Sequence, residues 1–185
     1  ALSMSVSETQ MAAAEELCDA FAQAGVDYAP LKGVLIKQYY PSANMRSMSD
    51  IDILIHTEQY DKIEPIMQTL GYTFEVESDH EYNWRKGQVH AELHKCLIPS
   101  YNKDYYAYYN DGWQFFRPTN DHRYEMRDED MFIYLFTHYT KHFRDGGIGV
   151  KDFSQLNALV ITREGEDYRY DWVFEDPYPR VAALS

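Results

Sequence analysis

Asp50-Ile51-Asp52-Ile53-Leu54-Ile55 alternates acid with isoleucine and then turns wholly apolar. A β-branched run of this kind reads as a strand emerging from a core, with its carboxylates at one end. Residues two apart on a strand project to one face, so Asp50 and Asp52 point together and can hold one hard cation between them. Ile51 and Ile53 face the other way. Two like charges side by side at the mouth of an apolar strand need a cation, a basic partner or water. Solvated aspartates at a strand start are the plain alternative, because Asp-x-Asp is short enough to arise by chance.

A third carboxylate lies downstream. Gln88 to His94 reads as a strand carrying Glu92, with His90 and His94 on the same face and Val89, Ala91 and Leu93 opposite. If that strand adjoins residues 50–55, three carboxylates converge and suit two Mg²⁺ ions roughly 3.5–4 Å apart, the arrangement that clamps attacking and leaving oxygens in phosphoryl transfer. Upstream, Lys32-Gly33 falls at a strand-to-helix junction, where backbone N–H groups favour phosphate and Gly33 permits its close approach. Arg46, Ser47 and Ser49 precede the aspartates in a polar loop and offer donors to a triphosphate, unless that loop is simply solvated.

Around these residues the periodicity predicts an alternation of helices and strands. Met11, Ala14, Leu17, Cys18 and Phe21 recur at helical steps behind a Ser7 cap, giving a helix from Ser7 to Ala24 that Gly25 closes. Val26 to Leu31 reads as a buried strand, and the helix after Gly33 is stopped by Pro41. Thr57 caps a helix from Glu58 to Leu70, followed by a strand from Tyr72 to Val76. Glu81 to Arg85 and Gln88 to His94 flank Lys86-Gly87 as a tight hairpin, with the glycine supplying a positive φ. Tyr101 to Arg117 is tyrosine-rich and follows neither period. Met131, Tyr134, Leu135, His138 and His142 mark a helix that Gly146-Gly147 breaks before a last one from about Val150 to Ile161. The expected division is a core over residues 1–125, then a helical annex and acidic tail over 126–185.

Composition narrows the function. The 185 residues include 30 Asp+Glu against 17 Lys+Arg, a formal charge of −13, with 45% apolar and 16% aromatic positions. That apolar share supports a folded core, which excludes disorder as the dominant state. The negative balance disfavours a surface that tracks a nucleic-acid backbone or anionic lipid, because such surfaces cluster Lys and Arg. Cys18 and Cys96 are the only cysteines, too few for a disulfide framework and without a CxxC. No apolar run approaches the roughly 20 residues that span a bilayer, and the first residues lack a basic stretch followed by an apolar one. The expectation is a cytoplasmic protein that does not enter membranes.

Taken in order, Leu31-Lys32-Gly33, Tyr40-Pro41, Arg46, Ser49-Asp50-Ile51-Asp52-Ile53-Leu54 and Val89-His90-Ala91-Glu92-Leu93-His94 resemble the polymerase-β-like nucleotidyltransferase superfamily. More narrowly, the chain is similar to a bacterial nucleotidyltransferase family with a Lys-Gly strand end, an Arg before Asp-x-Asp and an acidic-Leu-His strand. Thr137-His138, Lys141-His142-Phe143 and Gly146 to Lys151 extend the similarity, which covers roughly residues 10 to 160. The resemblance implies an α/β (α+β) fold, a small mixed β-sheet flanked by helices with a helical C-terminal annex. It also implies Mg²⁺ or Mn²⁺ held by Asp50, Asp52 and Glu92, and an NTP attacked at its α-phosphorus by an acceptor hydroxyl that Glu92 helps to activate, with pyrophosphate leaving. Gly33 and Ser49 would cradle the phosphates, His94 would stand beside them, and Lys32, Arg46, Lys141 and Lys151 would clamp their charge.

Other readings stay open at this point. His138 and His142, four apart on a helix, together with His90 and His94, suggest a transition-metal hydrolase, although no HExxH accompanies them and packing explains such a pair equally simply. A non-catalytic nucleotide sensor or a toxin–antitoxin component on the same fold is a further alternative, since fold does not dictate activity. Tyr105, Tyr106, Tyr108 and Tyr109 either pack or form a stacking platform. In the second case a small ring-bearing acceptor, such as a sugar or an aminoglycoside-like compound, suits the acidic chain better than RNA.

Overall fold

Ala14, Leu17, Cys18 and Phe21, three and four residues apart, are buried along one stripe of the first helix in the computed structural model, which describes residues 2–37 and 50–145. The helices are α1 (Leu2–Gln23), α2 (Lys32–Lys37), α3 (Tyr60–Thr69), α4 (Lys103–Tyr109) and α5 (Asp128–Asp145). The strands are β1 (Tyr28–Pro30), β2 (Ile51–Ile55), β3 (Thr73–Glu77), β4 (Glu81–Lys86), β5 (Val89–His94), β6 (Phe116–Asn120) and β7 (Arg123–Met126). The chain separates into two units, Ala1–Met131 and Phe132–Ser185.

In the first unit the described strands make one mixed sheet of seven, in the order β3-β4-β5-β2-β1-β7-β6. β2 lies in its interior, antiparallel to β1 and parallel to β5, and all five of its residues are buried. Ile51, Ile53 and Ile55 join Leu17 and Phe21 of α1, Ile63 and Met67 of α3, and Trp84, Ala91 and Leu93 of the neighbouring strands in one core cluster. Full burial of each such isoleucine contributes about 1.5–3 kcal/mol, enough to make the alternation of β2 binding on its orientation. The opposite face of β2 is therefore the one that carries Asp50 and Asp52.

Several elements differ in detail from the sequence expectation. α1 starts at Leu2, so Ser7 is interior to the helix; Leu2 to Val6 contain neither Gly nor Pro, and nothing stops the helix from running through them. Thr57 is no cap: it opens a 3₁₀ turn, Thr57–Gln59, that leads into α3. The β4–β5 hairpin closes over Gly87-Gln88, one position later than expected, with Lys86 paired to Val89 and Gly87 at φ 60°. The tyrosine-rich segment resolves into α4, a 3₁₀ turn (Trp113–Phe115) and β6, which pairs antiparallel with β7. β6 escaped the strand pattern because it reads Phe-Arg-Pro-Thr-Asn and is exposed after its first residue. It is an edge strand, where the missing donor of Pro118 costs little.

In the second unit, the described part of α5 buries Tyr134, Leu135 and Tyr139 and exposes Phe132, Ile133 and Phe136. The His138 ring lies 6.3 Å from that of Tyr134 and 6.0 Å from that of Tyr139. The expected stop at Pro41, the break at Gly146-Gly147, the helix over Val150 to Ile161 and the acidic tail lie outside the described residues. No helix among the described residues is long and apolar enough to cross a membrane.

Candidate active site

The parallel pairing of β2 with β5 sets Asp52 directly opposite Glu92, with Ile51 opposite Ala91 and Leu54 opposite His94. Because side chains alternate, Asp52 of β2 shares the face of His90, Glu92 and His94 of β5, away from the core cluster, and Asp50, just before β2, reaches His90 on that face. The strand adjacency on which convergence of the three acids depends is thus present. Side-chain donor atoms of Asp50, His90 and Glu92 lie within 4.8 Å of one another, and so do those of Asp52, Glu92 and His94. Glu92 belongs to both groups.

Lys32 enters from the other side of β2. β1 is antiparallel to β2, and the Leu31 N–H donates to the Asp52 carbonyl at 2.9 Å, so the chain leaving β1 passes the start of β2. Lys32 Nζ lies 3.4 Å from Asp52 Oδ1. Its φ of 25° is one that residues with a side chain rarely adopt, and strain of this kind collects at functional sites. Gly33 follows it in the first turn of α2, so the Lys-Gly pair does sit at a strand-to-helix junction. Arg46, Ser49 and Lys151 lie outside the described residues; Lys141 falls within α5, with its side chain outside the description.

Asp52 and His94 are buried, while Asp50 and Glu92 are partly exposed. His94 Nε2 lies 3.0 Å from Asp52 Oδ1, and His90 Nδ1 lies 3.1 Å from Asp50 Oδ1, both within hydrogen-bond distance. Burial, and after it the Asp52 charge, raises the Glu92 carboxyl above its usual range. The donor set of carboxylate oxygens flanked by imidazoles fits a divalent cation.

Sequence reasoning missed two more carboxylates. Glu81 of β4 is paired with His94, and its Oε2 lies 3.8 Å from His94 Nδ1; Glu75 of β3 brings Oε2 to 3.4 Å from His90 Nε2. Glu75 is itself bonded by Arg85, and Glu81 by His80 at 3.3 Å. The expected turn over Lys86-Gly87 would pair Glu81 with Glu92; closing the hairpin over Gly87-Gln88 moves its partner to His94. Glu75 was out of reach as well, because a β-bulge between Phe74 and Val76 shifts the register of β3.

Two solved structures of the antibiotic-resistance factor ANT(2'')-Ia share the fold. Its solution structure aligns with a TM-score of 0.63 at 14% identity, over 96% of this chain and 95% of that one. A crystal structure in complex with adenylyl-2''-tobramycin aligns with a TM-score of 0.60 at 12% identity, over 85% of this chain and 91% of that one. No curated protein matches the chain in sequence. A family model described as an uncharacterised nucleotidyltransferase matches residues 4–173, nearly the whole chain, and this protein belongs to that nucleotidyltransferase family.

Proposed function

We propose that the protein moves a nucleoside monophosphate from an NTP to a hydroxyl group of a small molecule, releasing pyrophosphate, with Asp50, Asp52 and Glu92 as its catalytic carboxylates. The observation that carries this reading is the β2–β5 register, which opposes Asp52 to Glu92 and keeps Asp50 on the same face. In the reaction the acceptor oxygen bonds to the α-phosphorus while the bond from that phosphorus to the β-phosphate oxygen breaks. Glu92 accepts the hydroxyl proton at a carboxylate oxygen.

Asp50, Asp52 and Glu92 would hold the divalent cation, Mg²⁺ or Mn²⁺. When bound, such an ion supplies the positive charge that phosphate oxygens need as pyrophosphate leaves. Lys32 adds a fixed cation at the start of β2, and Gly33 beside it gives the phosphates backbone to approach. Arg46, Ser49, Lys141 and Lys151 complete the proposed phosphate grip on the strength of their place in the sequence pattern, and His94 stands against Asp52. The small-molecule acceptor draws support from the fold neighbour solved with adenylyl-2''-tobramycin and from a net charge of −13, which repels RNA.

The test is transfer of label from α-³²P-NTPs to a panel of aminoglycosides, sugars, nucleosides and tRNA. Wild type should label a small hydroxyl compound, and Asp52→Asn or Glu92→Gln should reduce the rate by about 100-fold or more, the scale on which a transition-state electrostatic contact acts. Equal labelling by wild type and Asp52→Asn removes Asp52 from the mechanism. Labelling confined to tRNA removes the small acceptor.

A further inference from the structure

The acidic face carries two imidazoles that an all-oxygen phosphoryl-transfer centre does not require. His90 and His94 flank Glu92 on β5, each directed at it. His90 Nδ1 lies 3.1 Å from Asp50 Oδ1 and 3.7 Å from Glu92 Oε1, while its other nitrogen, Nε2, lies 3.4 Å from Glu75 Oε2. His94 Nε2 lies 3.0 Å from Asp52 Oδ1 and 3.6 Å from Glu92 Oε2, while Nδ1 lies 3.8 Å from Glu81 Oε2. Each ring thus turns one nitrogen to a pair of central carboxylates and the other to a carboxylate from an outer strand.

In metal-bound histidines the nitrogen that does not ligate commonly gives its proton to a carboxylate, which orients the ring and strengthens the ligating nitrogen. Here a carboxylate stands on the outer side of both rings, four residues apart on β5, at 3.4 Å from His90 Nε2 and 3.8 Å from His94 Nδ1, and the two halves meet at Glu92. Glu75 is anchored by Arg85, and Glu81 by His80 and by the Asn83 amide at 3.3 Å, so both outer carboxylates are fixed in place. Mg²⁺ favours an all-oxygen octahedron, whereas later divalent ions accept imidazole.

We propose that His90, through Nδ1, and His94, through Nε2, are ligands of two divalent-cation positions that share Glu92, that Glu75 and Glu81 are their positioning residues, and that the centre therefore prefers Mn²⁺ to Mg²⁺. This rests on the reading that Asp50, Asp52 and Glu92 hold metal.

The test uses the full chain and Mn²⁺ alone. Pulsed electron paramagnetic resonance of bound Mn²⁺ should show ¹⁴N modulation from imidazole in wild type, weaker modulation in His90→Ala and in His94→Ala, and none in the double variant. Glu81→Gln should keep the ¹⁴N signal and lower Mn²⁺ affinity by about 10-fold, the usual effect of losing such a partner. Mg²⁺ should displace Mn²⁺ only at about 10-fold or greater excess. Mn²⁺ bound by wild type without ¹⁴N modulation overturns the proposal, with no variant needed; so does equal competition by Mg²⁺, or the absence of Mn²⁺ binding at millimolar concentration. A ¹⁴N signal in a protein that transfers no nucleotide sinks the proposed function and leaves imidazole ligation standing. Transfer without that signal does the reverse.

Discussion

His80 Nε2 donates to Glu81 Oε2 at 3.3 Å, and this bond, against the opposing effect of burial, holds the Glu81 carboxyl down at about 2. The same bond, outweighing desolvation, raises His80 above its ordinary value. The depressed Glu81 contributes stability that is complete above its unfolded value of 4.5 and disappears as pH falls toward about 2. The raised His80 contributes stability that is complete below its unfolded value of 6.5 and disappears as pH rises through its higher folded value. One contact underlies both, so it is counted once and is strongest between those two unfolded values. A double-mutant cycle of Glu81→Gln and His80→Asn, followed by urea unfolding, should give a coupling of about 1–2 kcal/mol near pH 5.5, shrinking toward pH 3 and pH 9. A coupling independent of pH would show that charge does not hold this pair. At this scale Asp50, Asp52 and Glu92 were legible because strand parity alone groups them with their neighbours. The partners of the histidines were not, since Glu75 and Glu81 acquire meaning only through pairing across β3, β4 and β5.

Among the elements, α1, β2 and the β4–β5 hairpin were readable because each is long enough to display its period or ends at a glycine. The stretch from Tyr101 to Arg117 was not, because it divides into a seven-residue helix, a three-residue 3₁₀ turn and the start of an edge strand, each too short to repeat. Gly112 joins the first two of these. Its φ is 94°, and a Cβ added there would stand 2.4 Å from Leu97 Cγ, a buried side chain. Gly112→Ala should therefore cost about 2–4 kcal/mol, combining left-handed strain with overpacking. A urea midpoint equal to that of wild type would mean that the turn relaxes freely around the added methyl.

Over the whole molecule, a net charge of −13 and a sheet face crowded with acids favour cations, and under the proposed function the folded state binds a divalent one. Ligands that bind only the folded state stabilise it by mass action, so Mn²⁺ at about 100 times its dissociation constant should add about 2.7 kcal/mol. The melting temperature should rise accordingly in wild type and much less in Asp52→Asn or Glu92→Gln, measured at constant ionic strength to separate binding from screening. If neither Mn²⁺ nor Mg²⁺ moves the wild-type melting temperature, the metal centre is refuted.

The period-two alternation of residues 50–55 and 89–94 was enough, by itself, to say which side chains share a face, because that depends only on the local geometry of an extended chain. The same stretches carry the motifs on which the family resemblance rests. Which strands lie side by side, and in what register, was decided by the folded chain alone. β2 and β5 are parallel and lie some forty residues apart, and parallel strands have no connecting turn to set their alignment. Their register comes from packing Ile51, Ile53, Ala91 and Leu93 together beneath α1 and α3, and that packing places Asp52 against Glu92 on the other side.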